Sequence, residues 1–228
     1  MNPVVLIATH QRTEITSRNI EMLQSQSRTP EIVLVCSEVS ECDFYTRKFP
    51  TVHVLEYRNK PLGAKWQFGA SKSKVLNPDP LIILGSDDLL GKYFIRNICA
   101  EIERGYDFVG LNRWWLHSEG QNTVFLLQYT VPNFPLGGGR AYSKKILEKL
   151  NYKVFDASKD KSLDDFGWHQ SKKHGAKTLL ISDCEKYGMN IISIKGDWIT
   201  MNSADRLLNA KSVKTIKIFD KSKLKELL

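Results

Sequence analysis

Unbroken apolar runs separated by helix-period stretches dominate the first half of the chain. Val4 to Thr9 reads as a buried strand because no polar residue interrupts its run, and Ile32 to Cys36, Val52 to Tyr57 and Leu81 to Leu84 read as three more. Between them, Glu14 to Gln26 predicts a helix with Ile15, Met22 and Leu23 on one face, and Leu62 to Lys72 predicts another with Leu62, Trp66 and Ala70 at four-residue steps. Ile95, Ile98, Cys99 and Ile102 follow the i, i+3, i+4, i+7 rule in a helix expected from Lys92, and Phe108 to Leu111 returns as a strand. The order βαβαβα argues for parallel strands joined by crossover helices.

Beyond Asn112 the pattern is mixed. It predicts an antiparallel strand at Val124 to Tyr129, a glycine turn at Gly137 to Gly139, a helix from Ser143 to Leu150, strands at Thr178 to Ile181 and Asn190 to Ile194, and then a less regular tail. No internal repeat or proline-rich linker divides the 228 residues, so a single domain is expected. Within it, 1–112 and 113–205 are the expected halves, followed by a basic C-terminal tail over 206–228.

Composition narrows the class. Apolar residues at 42% and charged residues at 25% fit a globular protein rather than a disordered chain. No apolar run reaches the length of a transmembrane segment, and the start lacks the layout of a signal peptide. The cysteines Cys36, Cys42, Cys99 and Cys184 form no CxxC pair, so a reducing, cytoplasmic compartment is expected, that of the cell or of an infected host cell. A net charge of +8 points to an anionic partner: a phosphate-bearing small molecule, a nucleic acid or an acidic surface. Part of that charge is the run Lys211, Lys214, Lys217, Lys221, Lys223 and Lys225, which a solvated edge explains without any ligand.

In open parallel sheets, ligands bind beyond the carboxyl ends of the strands. The residues there are Thr9, His10, Gln11 and Arg12 after the first strand, Ser37 and Glu38 after the second, Arg58, Asn59, Lys60 and Lys65 after the third, and Ser86, Asp87 and Asp88 after the fourth. Two adjacent aspartates at the end of a buried strand raise each other's pKa and need compensation. A hard divalent ion, Mg2+ or Mn2+, is one remedy and would bridge a diphosphate; a role for the pair as caps of the following helix is the other.

The stretches VVLIATHQR, IVLVCSEVS, NKPLGAKWQFG and LIILGSDDLL, in that order and at matching spacing over residues 4 to 100, resemble the family-two inverting glycosyltransferases. The resemblance implies a single-domain, Rossmann-like A-type glycosyltransferase α/β fold. Its mostly parallel central sheet would be flanked by helices. It implies a nucleotide diphosphate sugar as donor, a UDP-sugar first among them, with Thr9, His10 and Arg12 against the nucleoside and Lys65 near the base or phosphates. Asp88 would be the principal metal ligand, with Asp87 beside it or meeting the sugar or ribose. Two positions depart from the pattern: the base-contacting turn reads Cys36, Ser37, Glu38, leaving Glu38 as the candidate, and Ser86 replaces the first carboxylate of the metal motif.

Downstream, SLDDFGWHQ resembles the family's acid motif and offers Asp164 and Asp165, with Asp165 favoured as the base that takes the acceptor proton. PLGGGRAYSKKIL resembles the glycine-rich acceptor-side turn, with Gly138, Gly139 and Arg140 in reach of acceptor or phosphate. Trp114, Trp115, Trp168 and Trp198 are available to stack on rings or to fill the core, and His169 is a further candidate for a metal site. The acceptor is open: a glycan, a lipid-linked or small molecule, or a hydroxylated base in DNA held through the basic surface. The competing readings are a nucleotidyltransferase, although ATHQRTEIT lacks the glycine-rich phosphate loop that class carries, and a catalytically weak nucleic-acid-binding protein.

Overall fold

The computed structural model describes residues 1–228 except 121, 132 and 197–203. The early pattern is realised with shifts at the ends of elements. The strands are β1 (Val4–Ala8), β2 (Glu31–Cys36), β3 (His53–Glu56) and β4 (Leu81–Gly85), and the helices between them are α1 (Thr13–Gln24), α2 (Val39–Lys48) and α3 (Leu62–Ser73). A short β5 (Asp88–Leu90) precedes α4 (Phe94–Glu103) and β6 (Phe108–Leu111). Then come β7 (Arg113–Ser118), β8 (Thr123–Tyr129), β9 (Arg140–Tyr142), α5 (Lys144–Lys149), α6 (Asp164–Lys173), β10 (Thr178–Ile181), β11 (Ile191–Lys195), α7 (Ala204–Leu208), β12 (Val213–Asp220) and α8 (Leu224–Leu227).

The first sheet has seven strands in the order β10-β6-β9-β4-β1-β2-β3, and only β9 runs against its neighbours. Side chains alternate across it. Val5, Ile7, Leu34, Ile82 and Leu84 join the core under α1 and α4, while Val4, Leu6, Val33, Val35, Leu81 and Ile83 pack with residues of α3, α5 and α6. Both faces are covered, which is why these strands read as continuous apolar runs. On α4, Phe94, Ile95, Ile98, Cys99 and Ile102 are buried along one stripe, each large apolar side chain contributing about 1.5–3 kcal/mol on leaving water.

A second sheet of five strands, β12-β8-β7-β11-β5, was not foreseen in the sequence. The chain leaves β4 in the first sheet and enters β5 in the second within two residues, Ser86 and Asp87, so the acidic pair lies where the sheets meet. Asp87 and Asp88 therefore do not cap a helix: α4 begins at Phe94 behind Tyr93. The expected irregular tail is also corrected. The stretch 206–228 carries β12, which pairs antiparallel with β8 from Val213↔Tyr129 to Asp220↔Thr123, and α8. A further unpredicted element is α2, whose only buried residues are Glu41 and Tyr45, too few to produce an apolar stripe.

Helix α3 is buried at Ala70 as expected, but otherwise through small residues and one lysine. Gly63, Lys65, Gly69, Ala70 and Ser73 are buried, whereas Leu62 and Trp66 are half-buried. At Gly69 a Cβ would lie 2.6 Å from Leu6 Cδ1 and 2.7 Å from Val35 Cγ2, so the helix approaches the sheet at a distance only glycine permits.

Candidate active site

The strand ends come together around a buried lysine. Lys65, 1% exposed, reaches from α3 to donate to the Thr9 carbonyl at the end of β1 and to the Ser37 hydroxyl beyond β2. Ser37 Oγ lies 3.2 Å from Asn59 Oδ1, to which it donates. Burial, the main cause, lowers the Lys65 pKa to about 8, against the opposing pull of Glu41; Arg12 lowers it further. Glu41 is buried here: its Oε1 accepts from the Gln11 backbone N–H at 2.6 Å and its Oε2 from Ser37 N–H at 3.4 Å. Glu38 stands farther out, 46% exposed, accepting from Gln11 Nε2 at 2.9 Å with His10 Nδ1 at 3.8 Å. The hydroxyl of Thr9 is turned to Thr16, 2.9 Å away, so its carbonyl is the part that faces Lys65.

Arg12 joins this cluster to the acidic pair. Its Nη1 donates to Ser86 Oγ at 3.4 Å and lies 3.8 Å from Asp87 Oδ1. The other oxygen of Asp87 accepts from the Lys195 ammonium at the end of β11. Asp88 is held by the backbone N–H of Gly85, 3.1 Å from Oδ2, and by the Ser193 hydroxyl on Oδ1. Its pKa is raised, first by burial and then by Asp87, with Lys195, Ser193 and Gly85 acting in the opposite direction.

The glycine turn closes the other side. A Cβ on Gly138 would lie 2.5 Å from Asp88 Oδ2, and one on Gly137 would lie 2.5 Å from Asp164 Oδ1, so the two carboxylates flank the same few backbone atoms. Gly139 has φ +76°, a left-handed conformation that glycine adopts without strain. Arg140 is 1% exposed and committed: Nε donates to the Gly137 carbonyl at 2.9 Å, Nη1 to the Asp164 carbonyl at 2.7 Å, and Nη2 lies 3.6 Å from Asp164 Oδ1. It fastens the turn to the start of α6 and is not free to meet a phosphate or acceptor as expected. Asp164 has a raised pKa, chiefly from burial, opposed by Arg140 and reinforced by Asp165. Asp165 occupies the next position in the first turn of α6, half-buried, and among the described residues its carboxylate is in no ion pair.

The aromatic candidates belong to the interior. Trp115 is fully buried against Phe219, Trp114 packs on Tyr129, and Trp168, 4% exposed, packs on Phe108 with ring centroids 4.9 Å apart. These rings are not offered to a sugar; Trp198 lies outside the described residues. His169 is exposed on α6, its Nδ1 2.7 Å from the Asp165 carbonyl. Sequence reasoning missed Glu41, Ser193 and Lys195, whereas Asn59 was among the residues expected beyond the third strand. Glu41 and Tyr45 at a four-residue step were the available signal for the first, whereas Lys195 ends an ordinary apolar strand and carries no signal of its own.

The acidic pair does not fit a divalent ion in this arrangement. Asp87 already accepts from an ammonium, and both oxygens of Asp88 are engaged, Oδ1 by the Ser193 hydroxyl and Oδ2 by the Gly85 backbone N–H. Among the described residues no three His, Cys, Asp or Glu side chains converge as a metal site.

No family model and no curated protein matches the chain. Solved structures do. S. aureus TarS aligns over 100% of this chain with TM-score 0.63 at 12% identity, and this chain spans 42% of TarS. The 4-diphosphocytidyl-2C-methyl-D-erythritol synthase structure aligns over 79% of this chain and 88% of its own, with TM-score 0.56 and 13% identity. At such identities the likeness concerns the fold alone, a mixed α/β fold with a mostly parallel first sheet, as expected from the sequence.

Proposed function

We propose that the chain is a glycosyltransferase that moves a sugar from a nucleotide diphosphate sugar to an acceptor hydroxyl with inversion. The observation that carries this reading is the convergence of Lys65, Arg12 and Lys195 with Asp87 and Asp88 at the carboxyl ends of β1, β2 and β4, facing the carboxylates of α6 across Gly137 and Gly138. The nucleoside lies over the ends of β1 and β2, where the exposed Glu38 offers an acceptor to a base. Uridine is the first candidate. Arg12 and the lysines attract the diphosphate, and the sugar lies near Asp88 and Asp164, the carboxylates that flank Gly137 and Gly138.

In the transfer, the acceptor oxygen bonds to the anomeric carbon as the bond from that carbon to the diphosphate oxygen breaks. Asp165 takes the hydroxyl proton, and the nucleoside diphosphate leaves with the electron pair. Asp164, held by Arg140, fixes the first turn of α6 and so aims Asp165. The acceptor is a glycan, a lipid-linked or small molecule, or a hydroxylated DNA base; in the last case the exposed Lys214 and Lys217 on β12 would meet phosphates.

The similarity to a cytidylyl-transferring fold favours nucleotidyl transfer as the second reading. The products separate the two. Incubation with the preferred donor should release nucleoside diphosphate, with Asp165→Asn cutting turnover about 100-fold or more while leaving donor affinity intact. Release of pyrophosphate from a nucleoside triphosphate would establish the second reading instead.

A further inference from the structure

We infer that Lys195 supplies at the donor diphosphate the positive charge that the motif resemblance assigns to a divalent cation, so that the reaction needs no metal. This rests on the transferase reading above and concerns how the same site neutralises its leaving group. The placement follows from sheet topology. Strand β11 runs antiparallel to β5 with Ser193 opposite Asp88, and side chains two residues apart on a strand share a face. Ser193 and Lys195 therefore both turn to the acidic pair, and both reach it, the hydroxyl at Asp88 and the ammonium at Asp87.

The side chains of Lys195 and Asp87 are 9% and 10% exposed, and a charge so enclosed persists only with a partner. Arg12 lies on the remaining oxygen of Asp87 at 3.8 Å. Two cations thus bracket Asp87 and stand beside the acidic pair, where a diphosphate can meet them. An ammonium has three donors; one is fixed on Asp87, and the others remain for phosphate oxygens. Asp87 acts as the positioning residue that aims the lysine. A divalent ion on Asp87 would have to displace or adjoin this ammonium, and one on Asp88 would have to compete with the Ser193 hydroxyl and the Gly85 N–H, which engage its two oxygens.

The test is calorimetric titration of uridine, cytidine, guanosine and thymidine di- and monophosphates into the full chain in chelator and again with manganese, with manganese binding followed by electron paramagnetic resonance. One diphosphate should bind equally well in both conditions, without recruiting manganese. Lys195→Met should weaken that diphosphate by about 10- to 100-fold, the worth of a charge-assisted hydrogen bond, and leave the monophosphate nearly unchanged, while Lys195→Arg retains most of the affinity. Because Lys195→Met strands Asp87, the Asp87→Asn/Lys195→Met double variant, which removes both charges, should show the same selective loss in a chain that circular dichroism finds folded. Diphosphate binding that appears only with manganese, or equal weakening of mono- and diphosphate, would overturn the inference and leave the transferase reading standing. Failure of every nucleotide to bind in either condition would remove both.

Discussion

Lys65 holds together the ends of two strands and does so as a cation poised close to losing its proton. Its pKa is lowered to about 8 mainly by burial, so the ammonium predominates below that pH and the neutral amine above it. If the ammonium helps to hold an anionic donor, nucleotide affinity should fall as pH rises from 7 to 9. Lys65→Arg, whose charge does not titrate in that range, should flatten the dependence in the same titrations. An affinity independent of pH in the wild type would separate Lys65 from the donor. This residue was legible in the sequence because it stands in a motif, as were Asp87, Asp88 and the α6 carboxylates. Lys195 was not, because its partner is 108 residues away and only the pairing of β11 with β5 brings them together. Arg140 was found for the wrong role: a glycine-rich turn followed by arginine looks like a ligand loop, yet burial turns the guanidinium inward onto the turn itself.

At the level of elements, apolar periodicity located the strands of the first sheet other than the three-residue β9, together with the helices with a strong stripe, and it failed where packing is done by small residues. Helix α3 shows this. Sequence logic put Leu62, Trp66 and Ala70 on one face; Ala70 is buried, but the closest approach to Leu6 and Val35 is made by Gly69, with Leu62 and Trp66 only half-buried. Gly69→Ala should therefore destabilise the protein by about 1–3 kcal/mol through overpacking, although alanine is the better helix former. In a chain of this size each kcal/mol lowers Tm by about 2–4 °C, a shift that calorimetry resolves. An unchanged or raised Tm would mean that α3 has room the packing does not indicate. Helix α2 escaped notice because its buried residues, Glu41 and Tyr45, serve the site and one corner of the core rather than a stripe.

Across the whole molecule, the fold class was accessible because a parallel sheet covered on both faces leaves a strong imprint on sequence. The second sheet was not, because its partners are remote: β12 pairs with β8, and β11 lies between β7 and β5. Along β12 half-buried positions recur only every third residue, with lysines among the exposed ones, which reads as a solvated tail. Yet that sheet completes the site, since β5 and β11 bring Asp88, Ser193 and Lys195 to the end of β4. Among the described residues no helix is long and apolar enough to cross a membrane. The most direct test of the central claim is to follow nucleotide release by the full chain from uridine, guanosine, cytidine and thymidine diphosphate sugars. The account predicts that one donor is cleaved to its nucleoside diphosphate, faster when its acceptor is supplied; no binding and no cleavage of any donor would contradict it.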